Sequence, residues 1–88
     1  MIEVKILGYH PAQRYAVRQT LVAVQRVLQD EFPDLKLSIA ELKDWMQIER
    51  YTPVLSAPSL VVNGKLVCVG RFPSKQEVVG WLKDVINR

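Results

Sequence analysis

Few side chains in this sequence could do chemistry. There is one cysteine, Cys68, and one histidine, His10. A single thiol allows no internal disulfide, and one thiol with one imidazole cannot build a zinc site. Neither a metal nor a cofactor is expected. Cys68 lies among Leu66, Val67 and Val69, where a free cysteine behaves as a small buried hydrophobe rather than a reagent. His10 could act as an acid–base group or donate to an anion. No Ser, Cys or Asp stands beside it, which favours plain surface. Arg14, Arg18 and Arg71 are the remaining candidates. Gathered at a helix N-terminus they could hold a carboxylate or phosphate; the bland alternative is three solvated arginines.

The elements that must position these residues follow from the patterning. Ile2, Val4 and Ile6 alternate with Glu3 and Lys5, which predicts a strand ending at Leu7-Gly8. Tyr9-His10 form a loop, and Pro11 suits the first position of a helix, where its missing N–H has no intrahelical partner to lose. That helix carries Val17, Leu21, Val24 and Leu28 on one stripe, with Arg14, Arg18, Gln25 and Gln29 off it. Phe32-Pro33-Asp34 stops it. Leu35, Leu37 and Ile39 then alternate with Lys36 and Ser38 as a second strand. Glu41 to Tyr51 fits a short helix with Leu42, Trp45, Met46 and Ile48 as its apolar positions; Met46 and Ile48 are expected in the core, and Trp45 with Tyr51 could instead meet a partner. Thr52-Pro53 ends this helix. Asn63-Gly64, between Leu60-Val61-Val62 and Leu66-Val67-Cys68-Val69, is a strong hairpin signal because both central residues of a type I′ turn take positive φ. Ser74 and Glu77 form a capping box, opening a helix with Val78, Trp81, Leu82 and Val85 on one face.

The order is β-α-β-α-β-β-α. A helical crossover makes the first two strands parallel, and the hairpin makes the last two antiparallel. The 88 residues suffice for a single domain, residues 1–88. A hydrophobic content of 49% is ordinary for a globular chain. The net charge of +3 comes without a dense basic run, which argues against nucleic acid and anionic membranes. The opening MIEVKILG has no apolar signal core, and no apolar run approaches the roughly 20 residues that span a bilayer. A cytoplasmic protein is the expectation, with homo-oligomerisation left open.

Over nearly its full length the chain resembles the small thioredoxin-like proteins called redox-active disulfide proteins. Leu7-Gly8 match the family's loop after the first strand, Ala57-Pro58 its proline turn, Asn63-Gly64 its hairpin, and Gly70-Arg71-Phe72-Pro73-Ser74 the run into its last helix. The resemblance implies an α/β fold of the thioredoxin or glutaredoxin type: a four-stranded mixed sheet, order second, first, third, fourth, with three flanking helices. It also implies a cis Ala57-Pro58 peptide. Where the family carries Cys-x-x-Cys, this sequence has Pro11-Ala12-Gln13-Arg14, and neither Pro11 nor Arg14 can attack or resolve a disulfide.

The scaffold without its dithiol is expected to be a redox-inactive module rather than an enzyme. It would bind a protein or peptide through Tyr9, His10, Arg14, Ala57, Pro58, Ser59 and Arg71, with Tyr9 an exposed aromatic anchor. Two alternatives stand beside this reading. One is an oxidoreductase-related protein of redox homeostasis working through Cys68. The other is a small-anion-binding regulator at the first helix N-terminus.

Overall fold

The computed structural model describes residues 1–52 and 58–88. Its elements are β1 (Ile2–Leu7), α1 (Pro11–Leu28), β2 (Leu37–Leu42), α2 (Trp45–Glu49), β3 (Ser59–Val62), β4 (Lys65–Cys68) and α3 (Lys75–Ile86). The strands form one sheet in the order β2-β1-β3-β4. β1 runs parallel to β2, from Ile2 opposite Leu37 to Leu7 opposite Leu42. It runs antiparallel to β3, and β3 antiparallel to β4. The architecture is α/β, a mixed four-stranded sheet with three helices, as the patterning predicts.

Alternation along β1 decides what covers each face of the sheet. Ile2, Val4 and Ile6 enter the main core with Val17, Leu21, Val24 and Leu28 of α1 and Val78 and Leu82 of α3. Glu3, Lys5 and Leu7 face the other way. There Leu7, Ile48 and Val61 make a smaller core, edged by Tyr9, Leu42, Tyr51 and Leu66. Two long helices thus cover one face, and the five-residue α2 covers only part of the other.

Local signals set the joints. Asn63 and Gly64 both take positive φ, 46° and 81°, as the hairpin requires. The Asn63 side chain accepts from Glu3 N at 2.8 Å while its own N–H donates to Glu3 O at 2.8 Å, which fastens the turn to β1. At the start of α3, Ser74 Oγ accepts from Glu77 N and Ser74 N donates to the Glu77 carboxylate, both at 3.1 Å.

The structure corrects the sequence reading in three places here. The second strand begins at Leu37 rather than Leu35, and it continues through Glu41 and Leu42, which patterning assigned to a helix. Pairing with the buried β1 decides their state: Ile6 faces Glu41, Leu7 faces Leu42, and Gly8 N donates to Leu42 O at 3.1 Å. That ladder outweighs local helix propensity. Met46 is not core but 67% exposed, because a single helical turn has one inward position and Ile48 holds it. Trp45, at 55%, is also largely in solvent. Arg14, read as lying off the buried stripe of α1, is on it. The predicted cis peptide at Ala57-Pro58 and the helix stop at Pro53 lie outside the described residues.

Gly80 supplies a test of α3. It is exposed in mid-helix, and a Cβ built there meets nothing within 4 Å. Gly80→Ala is therefore expected to raise stability by about 1 kcal/mol. Leu82→Ala, which empties a fully buried site, should lower it by about 2–5 kcal/mol. Urea unfolding midpoints check both.

Candidate functional site

The residues singled out by sequence gather where β1 leaves the sheet and α1 begins. His10 has extended backbone geometry (φ −97°, ψ 120°) at the N-cap, and its carbonyl accepts from Gln13 N and Arg14 N at 3.1 Å each. Pro11 follows at the first helical position, exposed and without loss of a hydrogen bond. Arg14 lies one turn further on, three residues before Val17, so helical spacing turns it inward.

Its side chain is only 11% exposed. Nη1 donates to Gly8 O at 2.9 Å and Nε to Glu41 Oε1 at 3.0 Å. Arg18 Nε donates to the other carboxylate oxygen, Oε2, at 2.7 Å. One carboxylate at the end of β2 thus receives two guanidinium groups from α1. These hold the Glu41 carboxyl below the usual carboxylate range, Arg18 more strongly than Arg14. A Cβ on Gly8 would stand 3.6 Å from Arg14 Cγ and 3.8 Å from Pro58 Cα. The β1 exit, Arg14 and the proline turn are therefore in one layer.

Arg71 joins this end of the molecule through its backbone, its N–H donating to Pro58 O at 3.2 Å. Its guanidinium turns to Glu77 instead, with two bonds of 2.7 and 2.6 Å. The pair, together with Ser74 N–H, pulls the Glu77 carboxyl down to about 2. Ser59 is buried, and its hydroxyl accepts from Gly70 N at 3.3 Å. Cys68 is buried, its thiol donating to Arg71 O at 3.3 Å; burial pushes its pKa up, with Arg71 opposing.

The three arginines do not converge. Arg14 and Arg18 meet on Glu41, while Arg71 is committed to Glu77. Tyr9 is not an exposed loop-tip aromatic, because its ring packs half-buried against the smaller core. Its hydroxyl and Gln13 Oε1 are buried without a hydrogen-bond partner among the described residues. Pro58 has no N–H, its carbonyl accepts from Arg71 N, and its side chain is fully buried, so it does not present the open edge expected for an extended peptide. Ala57 lies outside the described residues. What this end does present is His10, Pro11 and two apolar side chains, Val69 at 45% and Phe72 at 52% exposed.

Sequence reasoning missed Glu41 and Phe72 as site residues. Glu41 carried a usable signal, since a parallel β1-α1-β2 unit brings the end of β2 beside the start of the crossover helix. Phe72 follows Arg71 in the run quoted above, but its exposure had no local signature.

A family model described as a thioredoxin domain matches residues 2–83. The chain belongs to the thioredoxin-domain family. With one cysteine, it is a member that lacks the Cys-x-x-Cys pair. No curated protein matches it. Among the described residues no helix is long and apolar enough to cross a membrane.

Two outcomes follow from the arginine–carboxylate contacts. Arg14→Met keeps the aliphatic stem but leaves Gly8 O without its side-chain donor, while Glu41 retains Arg18, and should lower stability by about 1–3 kcal/mol in urea unfolding. Arg18→Met, at a half-exposed position, should change it by less than about 1 kcal/mol. The pH dependence has a definite sign. Glu41 and Glu77 both titrate lower in the folded chain than unfolded, so their stabilisation is complete above the unfolded carboxylate value of about 4.3 and is lost as pH falls through their folded values. Glu77→Gln should flatten the fall in melting temperature between roughly pH 4.5 and pH 2, leaving the curve near neutrality unchanged.

Proposed function

We propose that this thioredoxin-family chain is a redox-inactive binding module for a protein or peptide. The carrying observation is the commitment of Arg14. At the position where the family resemblance puts the resolving thiol, a nearly buried guanidinium holds Gly8 O and Glu41. Disulfide exchange needs a thiolate to attack and a second thiol to resolve, and the start of α1 supplies neither.

The contact surface in this reading is the end of the molecule formed by His10, Pro11, Arg71 and Phe72, over the buried Pro58 and Ser59; of the expected turn residues, only Ala57 lies outside the described residues. Ser59 and Arg14 act as internal supports, and Phe72 replaces Tyr9 as the aromatic anchor. An exposed ring beside the hydrogen-bonded Pro58 and Ser59 offers a partner a large apolar contact at little cost in ordering. The reading includes no cofactor, metal, nucleic acid or membrane. It places the chain in the cytoplasm, where a lone thiol stays reduced, and leaves self-association open.

Cys68 gives poor support to the oxidoreductase alternative. It is buried, its pKa is raised, and there is no second cysteine, whereas reactive thiols sit in accessible, electropositive settings. The anion-binding alternative at the start of α1 meets Glu41 already on Arg14 and Arg18, so an incoming anion would have to displace it.

Turnover of an insulin-type disulfide substrate under a reductant is the first test. The chain should show no rate above the uncatalysed background, and catalytic turnover would overturn the proposal. The surface is tested by affinity capture from the native lysate with identification of what is retained. Phe72→Ala should lose the partner recovered by the unaltered chain, and Trp45→Ala should keep it. The reverse pattern would move the contact site to α2.

A further inference from the structure

Lys5 lies in the central strand, β1, on the sheet face that α2 covers only in part. Its side chain is half-buried. The ammonium donates to Tyr51 OH at 2.7 Å and lies 5.3 Å from the centre of the Tyr51 ring. The phenol thus fixes where the cation stands. Beside it is a cavity of about 160 Å³ lined by Lys5, Leu42, Gln47, Arg50 and Tyr51.

The composition of that lining is unusual. It holds two cationic side chains, an amide and a phenol, over one leucine, and it contains no carboxylate. Glu3 is the nearest carboxylate along β1, two residues away on the same face. It does not line the cavity, and neither Lys5 nor Arg50 makes an ion pair among the described residues. Tyr51 OH spends a lone pair on Lys5 and keeps its own hydrogen to donate. The larger cleft between α1 and α3, about 330 Å³, has a different character: Ala23, Val24, Val27 and Val79 dominate it, with one lysine, Lys75.

We propose that the cavity between β1 and α2 binds a phosphate group. Two positive charges, Lys5 held by Tyr51 and the exposed Arg50, match a dianion, whereas a carboxylate would leave one unneutralised. Lys5 and Arg50 supply charge-assisted bonds, and the Gln47 amide and Tyr51 hydroxyl can complete the shell. The space is about five times the ~30 Å³ that a water occupies in the liquid, enough for a tetrahedral oxyanion with some water. Lysine is cationic throughout the neutral range, and the hydrogen bond to Tyr51, foremost among the influences on Lys5, raises its pKa further. Free phosphate and a phosphomonoester on a larger molecule share this chemistry. The site is separate from the proposed protein-binding end and does not depend on it.

The test is a two-dimensional NMR titration of the isotopically labelled chain with inorganic phosphate and, separately, with O-phosphoserine, against sodium chloride at matched ionic strength. Saturable shifts at Lys5, Gln47, Arg50 and Tyr51 are expected in at least one phosphate arm and not with chloride. Saturation by inorganic phosphate identifies the free ion as a sufficient ligand. Saturation by O-phosphoserine alone identifies the monoester. Arg50→Gln, at an exposed position, should weaken the interaction about tenfold, and Lys5→Met should do the same. Arg26→Gln, on the outer side of α1, should leave it unchanged. If Lys5→Met loses its native amide dispersion, Arg50→Gln and Tyr51→Phe decide the matter. Linear shifts spread over basic residues in general, no shifts in either arm, or equal affinity in Arg50→Gln would overturn the proposal.

Discussion

A guanidinium group nearly shut off from water is the constraint around which the start of α1 is built. Desolvating that charge is costly unless donors find acceptors, and Arg14 places two of its five N–H groups on Gly8 O and Glu41. Those partners belong to the exit of β1 and the end of β2. Satisfying one side chain therefore fixes three chain segments relative to one another. Such a contact adds little stability over a well-packed apolar group, but removing one partner leaves the other stranded. Its value lies in holding a single arrangement of helix, loop and strand.

The same contact explains how the fold can persist without thiols. In a dithiol member, as the resemblance describes it, the helix start is occupied by chemistry. Here it is occupied by structure, and Pro11 suits the opening turn because that turn asks nothing of its N–H. Glu77 does comparable work at the far side of the proline turn. It caps α3 through Ser74 and receives Arg71, whose backbone N–H supports Pro58. Both carboxylates titrate low chiefly because arginines stand beside them, so the contacts they hold at the site end of the molecule weaken in acid.

Much of this fold was legible in the sequence because its signals are local and periodic. Alternation in β1, the stripe Val17-Leu21-Val24-Leu28, Asn63-Gly64 and the Ser74–Glu77 box each specify an element without reference to the rest, and the thioredoxin-domain assignment followed. Where the reading failed, a distant partner decided. Glu41 and Leu42 look helical alone and become strand because β1 lies alongside. Arg14 has the spacing of a core residue and the charge of a surface one, and only the presence of Glu41 and Gly8 O resolves that conflict in favour of spacing. Met46 and Tyr9 exchanged expected environments because α2 is a single turn, leaving Met46 outside and Tyr9 as part of the cover for Leu7 and Val61. The candidate site inherits these failures, since it is built from long-range contacts rather than a motif.

The account turns on Arg14 and Glu41 acting as one unit, which a double-mutant cycle measures directly. Stabilities of the unaltered chain, Arg14→Met, Glu41→Gln and the double variant, from urea unfolding at pH 7, give the coupling between the two side chains. A favourable coupling of about 1–3 kcal/mol is predicted, so that the second substitution costs much less once the first is made. Losses that add to within about 0.3 kcal/mol would show that the two side chains act independently, and would contradict the view that an internal clamp has taken over the start of α1.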